Sequence, residues 1–236
     1  MERPSVKPPD ISEKGAAGAS SDRRLFMQLL CFADCPYTSD LISAAKDAEL
    51  DAVVYEDLSD PTGAALLTWS EDPADFTRQL RPLCRSIGKA TIKPQMTMIG
   101  RSYSLGYETD LDETLVDRPI SRALNPDWNW HVWYPLRRKG EFSRLDRETQ
   151  MAILKEHGII GMGFGAGDLG HDIRLACHGL DTNDNDFIIG LVGKELAPLS
   201  KLVETMRKTQ QTALYIEKLG PFFVGHAVWR SGQDSD

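Results

Sequence analysis

Cysteine is scarce in this chain: Cys31, Cys35, Cys84 and Cys177 are the only four in 236 residues. They are too few and too scattered for a disulfide scaffold. Cys31 and Cys35 sit four apart, but no further Cys or His lies close by in sequence to complete a metal or redox centre, so ordinary buried thiols are expected. Long apolar runs are missing as well; none approaches the roughly 18 residues that span a bilayer. The N-terminus lacks the basic-then-apolar layout of a signal peptide, so a cytoplasmic protein without a membrane partner is expected. Positive charge is in deficit, with 27 Lys and Arg against 35 Asp and Glu, a net charge of -8. That balance argues against nucleic acid or an anionic membrane as the main partner. What is present, 41% apolar and 26% charged residues, is the composition of a soluble globule long enough to bury a sizeable core.

Residues 1–23 are rich in Pro, Gly, Ser, Ala and charge and read as a disordered leader. From Arg24 the patterning predicts strand (24–33), helix (39–49), strand (51–55), strand (63–69), helix (72–87) and strand (91–100). The turn Asp60-Pro61-Thr62-Gly63 has Pro to preset φ and Gly to accept a positive φ. A loop-rich connector, 101–127, closes an N-terminal half of residues 24–127. The order then recurs in residues 128–236: strand (130–136), helix (146–157), strand (171–178), strand (186–192), helix (195–218) and strand (221–229). Two β-α-β-β-α-β halves each expose one bare sheet face, most simply covered by the other half. The expected class is α+β: two ferredoxin-like halves forming a dimeric α+β barrel.

Gly165-Ala166-Gly167-Asp168-Leu169-Gly170 matches the dinucleotide pattern G-x-G-x-x-G. That chemistry needs a strand before the glycines and a helix after them. Here the order is reversed, and a flexible loop is the better account. On the helix at 146–157, Asp146 is placed to cap the start and Gly158 the end. Met151, Leu154 and His157 follow at i, i+3, i+6. A histidine there is most simply a hydrogen-bonded core residue, although an imidazole fixed on a helix is also what a metal or haem iron needs as an axial ligand. In the strand from His171 to His178, Ile173, Leu175 and Cys177 face one way, and Asp172, Arg174, Ala176 and His178 the other. Arg174 is then either on a wet face or inside a cavity where it holds an anion. Tyr134 followed by Arg137, Arg138 and Lys139 is a solvated strand end or a carboxylate-binding cluster beside an oxidisable ring.

Trp133-Tyr134-Pro135-Leu136-Arg137-Arg138, Glu156-His157-Gly158-Ile159-Ile160-Gly161, Gly179-Leu180-Asp181 with Asp186-Phe187, and Gly220-Pro221-Phe222-Phe223-Val224-Gly225 come in an order and spacing that resembles the chlorite dismutase family of haem proteins, which includes the coproheme decarboxylases. The motifs cover about 100 residues of the C-terminal half; the N-terminal half matches in topology only. The resemblance implies a dimeric α+β barrel, a homopentamer, and haem b or iron coproporphyrin III bound in the C-terminal half with His157 as the iron ligand. It implies that Tyr134 is the tyrosine oxidised by decarboxylases and that Arg138 and Arg137 hold propionates. Arg138 stands where the family pattern has lysine, and an arginine cannot take part in proton transfer at ordinary pH. Three positions compete for the distal residue, Gly170, Asp172 and Arg174, with Arg174 the chemically sensible candidate. Phe142 and Ser143 stand where chlorite dismutases carry a tryptophan pair. The implied partners are a porphyrin with hydrogen peroxide or chlorite, and the implied reaction is peroxide-dependent decarboxylation of coproheme. Chlorite turnover and non-catalytic haem binding are the alternatives.

Overall fold

The computed structural model describes residues 7–233. Two short strands, β1 (Glu13–Lys14) and β2 (Ser20–Ser21), pair as a ribbon around a 3-10 turn at Ala16–Gly18. The expected leader is therefore structured over 13–21, while residues 1–6 lie outside the described part. Its small residues have a physical use: a Cβ on Gly15 would lie 2.6 Å from the Glu108 carbonyl oxygen. The ribbon is also tied down by charge, because Glu13 pairs with Arg24 and Arg101.

The first half then runs β3 (Phe26–Ala33), α1 (Thr38–Asp47), β4 (Ala52–Asp57), β5 (Ala64–Ser70), α2 (Ala74–Ser86), β6 (Thr91–Ile92) and β7 (Met98–Arg101). The single strand expected over 91–100 is broken by a 3-10 turn at Pro94–Met96, since Pro94 has no N–H to give a ladder. In the turn after β4, Gly63 is required by space rather than by φ: a Cβ would lie 2.8 Å from Asp60 Cβ. The connector is not all loop. A π turn (Glu113–Asp117) leads into α3 (Arg118–Leu124), which begins on Pro119 in its first turn.

The second half comprises β8 (Trp130–Arg138), α4 (Gly140–Arg144), α5 (Arg147–Ala166), β9 (His171–Ala176), β10 (Phe187–Gly193), α6 (Leu196–Met206), α7 (Gln210–Tyr215), β11 (Ile216–Leu219) and β12 (Phe223–Arg230). Two expectations are corrected here. Helix α5 does not stop at Gly158 but continues to Ala166. Glycine inside a helix costs roughly 1 kcal/mol relative to alanine; packing of Ile160 and Phe164 into the cluster on the sheet offsets that cost. The helix expected over 195–218 is really α6, a break, α7 and β11, because Thr209 caps a new helix by accepting from the Thr212 N–H.

The sheet order explains the shape. The run β7-β3-β5-β4 in the first half and β12-β8-β10-β9 in the second place their strands in the same sequence of fourth, first, third and second. All these pairings are antiparallel. Joining β4 to β12 and β7 to β9 closes the path into a ring. Inside lie Met27, Leu29, Tyr55, Leu67, Trp133, Ile173, Leu175 and Phe223, with Leu115 and Ala123 from the connector packed against them. Each half carries its helices outside: α1 and α2 cover one cluster, α5 and α6 the other. Among the described residues no helix is long and apolar enough to cross a membrane.

Candidate functional site

The outer face of the second half is laid out by strand register. Tyr134 pairs with Ile189, and Ile189 with Arg174, so these three side chains form one row across β8, β10 and β9. The neighbouring rows are Val132–Leu191–Asp172 and Leu136–Phe187–Ala176. Helix α5 lies over this face, with Ile160 and Phe164 in its apolar cluster and His157 one turn earlier. Ile153, not Met151, is the buried residue of α5's first half, and Met151 is 49% exposed. The stripe through Met151, Leu154 and His157 is thus not a core stripe, and His157 is only half-buried.

His157 is kept neutral. Burial lowers its pKa, and the Arg138 and Arg174 cations lower it further against the pull of Asp172. Its Nδ1 lies 3.4 Å from Thr209 Oγ1. Tyr134 is buried, with its ring stacked on Phe222 at 4.7 Å. Burial first, and then the Asp172 charge, push its phenol pKa well up, so the hydroxyl stays protonated.

Arg138 has the most unusual surroundings. Its guanidinium sits 4.7 Å from the Phe142 ring centre and 4.6 Å from that of Phe187. Its Nε is buried without a hydrogen-bond partner among the described residues. A cation held between two aromatic rings with a donor unused is short of an anion. Phe142 is one wall of this clamp and Phe187 the other. Arg137 points elsewhere: its Nε donates to the Asp184 carbonyl at 2.7 Å, and Nη2 donates to that of Asn183. The structure does not bring Arg137 to the site.

The three distal candidates now separate. Gly170 lies before β9, where a Cβ would meet Leu199 at 2.9 Å, so it faces α6. Asp172 is taken up by two arginines, Arg122 Nη1 at 3.0 Å and Arg174 Nε at 3.1 Å. Arg174 stands in the row with Tyr134. Burial works against its charge, but Asp172, Tyr103, Tyr107 and Glu108 outweigh it. Tyr103 comes from the loop after β7 and lies 5.4 Å from the Phe187 ring. It has no motif around it that could have revealed it. Thr209 was hidden inside the stretch that reads as one helix. A separate cavity of about 320 Å³ is lined by Glu113, Arg118, Arg122, Asn125, Trp128 and His171; His157, Tyr134, Arg138 and Arg174 do not border it.

The family model for chlorite dismutase matches residues 39–228. No curated protein matches the chain. Among solved structures, a heme-binding protein from Thermus thermophilus is similar at 17% identity and a TM-score of 0.67, over 87% of this chain and 91% of that one. A chlorite dismutase from Candidatus Nitrospira defluvii in complex with imidazole is similar at 18% identity and a TM-score of 0.67, over 88% and 92%. At such identities the structural likeness speaks for the fold. The family match spans both ferredoxin-like halves and includes every residue of the row and the clamp, and on that ground the chain belongs to the chlorite dismutase family.

Proposed function

We propose that the protein binds an iron porphyrin through His157, and that its substrate is iron coproporphyrin III, converted to haem b by peroxide-dependent loss of two carboxyl groups. The heme-binding and chlorite dismutase names of structurally similar proteins support a porphyrin. The donor set supports it independently. His157, held on α5 with its pKa lowered by burial, is the neutral imidazole that a porphyrin iron would take as a ligand.

The observation that carries decarboxylation is Arg138, a clamped cation with a buried donor unused, on the same strand face as Tyr134. It would hold a propionate carboxylate and fix the side chain against the tyrosine. Tyr134, protonated and stacked on Phe222, would take a hydrogen atom from the propionate once oxidised to its neutral radical. Each turn converts one propionic acid group and one hydrogen peroxide to a vinyl group, carbon dioxide and two waters. The iron and peroxide supply the oxidising power; the protein supplies orientation and exclusion of water. Arg138 keeps its proton throughout, so proton transfer falls to Tyr134 or to water.

Arg174 favours a second reading, in which haem b stays bound and chlorite is converted to chloride and dioxygen. The placement beside Tyr134 suits an anion at the iron. Its guanidinium is already engaged by Asp172, however, which weakens it as an anion trap. Mass spectrometry of the porphyrin, after mixing the protein with iron coproporphyrin and titrating in peroxide, decides between them. Stepwise loss of two carboxyl groups is expected, and Tyr134→Phe should stop it while leaving binding intact. An unchanged porphyrin overturns the reading, and oxygen release from chlorite would then support the second.

A further inference from the structure

The hydrogen bonding around His157 identifies which ring nitrogen is free, and it runs through a residue no motif marks. Thr209 is 1% exposed and caps α7. Its Oγ1 donates to the Met206 carbonyl at 2.7 Å, the shorter of two acceptors on that side (Thr212 Oγ1 lies at 3.3 Å), so its only proton is turned away from His157. The same oxygen accepts from the Thr212 N–H at 3.3 Å and faces His157 Nδ1 at 3.4 Å. Toward His157 it is left to act as an acceptor, which favours the tautomer with the imidazole proton on Nδ1. That leaves the lone pair on Nε2 for a Lewis acid.

The position of the hydroxyl is fixed from both sides. Glu156, the residue before the histidine, accepts the Gln210 N–H at 2.9 Å, which ties α5 to the first residue of α7 beside Thr209. The same bond turns the Glu156 carboxylate to α7. The acceptor opposite Nδ1 is a neutral hydroxyl at long range. A carboxylate in that place would pull the Nδ1 proton and make the ring a stronger electron donor; a hydroxyl fixes the tautomer without that push.

We propose that Thr209 is the positioning residue for His157: it sets the Nδ1–H tautomer and leaves the imidazole a weak electron donor to bound porphyrin iron. This rests on the reading of His157 as the axial ligand. The test uses the full-length protein loaded with haem b, with three variants compared by porphyrin affinity, ferrous iron–histidine stretching frequency and reduction potential. Thr209→Val removes the acceptor and should weaken porphyrin binding about 10-fold, the lower end for loss of such a partner, with a lower stretching frequency. Thr209→Ser restores the hydroxyl and should restore both. Thr209→Asp keeps a good helix cap but supplies a carboxylate, and should raise the frequency and lower the potential. A residue that only capped α7 would leave the Asp variant like the wild type, and that outcome overturns the proposal, as does a Val variant with unchanged affinity and frequency. His157→Ala separates the two failures. If it leaves the Soret band unchanged, the ligand reading falls and this inference with it; if it shifts the band while the Thr209 variants do not, only this inference falls.

Discussion

At the scale of single residues, the buried polar groups of the barrel interior carry a measurable charge effect. Tyr55 donates its hydroxyl proton to His131 Nδ1 at 3.0 Å, and His131 Nε2 donates to the Trp128 carbonyl at 3.1 Å. Both ring nitrogens are thus used by a neutral imidazole. Burial, and then the Arg230 cation, lower the His131 pKa to about 3. The unfolded chain takes up this proton near the ordinary pKa of about 6.5, and the native state does so only near 3. The unfolded state binds more protons between those limits, so stability falls as pH falls through that window and is unaffected well above it. One histidine contributes a slope of about 1.4 kcal/mol per pH unit. In urea titrations from pH 6 to pH 4, His131→Asn should flatten the pH dependence by about one proton, whatever its cost at neutral pH. An unaltered slope would mean that His131 is protonated in the native state. The functional residues were unevenly legible at this scale. Tyr134, His157 and Arg138 lie inside recognisable runs. The clamp of Phe142 and Phe187 around Arg138 and the Thr209 contact depend on chain crossings that no local pattern encodes.

Elements show where local preference and tertiary packing part company. The strands were legible because their periods survive in the fold: Ile173 and Leu175 are 1% exposed, while Asp172 and Arg174 face out, as alternation predicts. The end of α5 was not legible, because a glycine after His157 suits a helix end and only packing reveals that the helix goes on. Its glycines are nonetheless unlike those in strands. At Gly158 a Cβ would touch nothing within 4 Å, so Gly158→Ala should gain the usual helix preference of roughly 1 kcal/mol. On β10, Gly190 faces the interior, where a Cβ would lie 2.6 Å from the Trp133 ring. Trp133 is 1% exposed and has no room to yield, so Gly190→Ala should cost about 1–3 kcal/mol by overpacking. Thermal melts of the porphyrin-free protein should therefore move in opposite directions for the two alanines, by a few degrees each. Equal shifts of one sign would show that backbone flexibility, not space, governs both sites.

Across the whole molecule, the internal repeat is readable as a recurring order of strands and helices, and two bare sheet faces that must cover each other already imply a barrel; which strands meet at its seams is not readable, since register between distant strands leaves no trace in either segment. The two closures are unequal. The β4–β12 seam runs from Gly225↔Asp57 to Arg230↔Val53, and it is backed by the Tyr55–His131 bond and by Arg230 Nη2 donating to the Trp128 carbonyl at 2.9 Å. The β7–β9 seam has a single register pair, Arg101↔Ala176. Beyond it no ladder pair joins the two strands, and Tyr103 lies near enough to Arg174 for that cation to act on its phenol. The site therefore sits beside the weaker closure, with Arg174 on one bank and Tyr103 on the other. Amides that face a missing ladder open with small free energies, while those in a full ladder need the larger event. Hydrogen exchange on the porphyrin-free protein should show residues 98–104 exchanging well before residues 52–57 and 223–230. Addition of an iron porphyrin should slow the first segment selectively, because a ligand held as proposed, between Arg138, Arg174 and His157, would touch the bank at Tyr103. Equal protection of both seams before addition would place the rigidity of the ring in its interior packing, and no selective slowing afterwards would place the ligand away from β9.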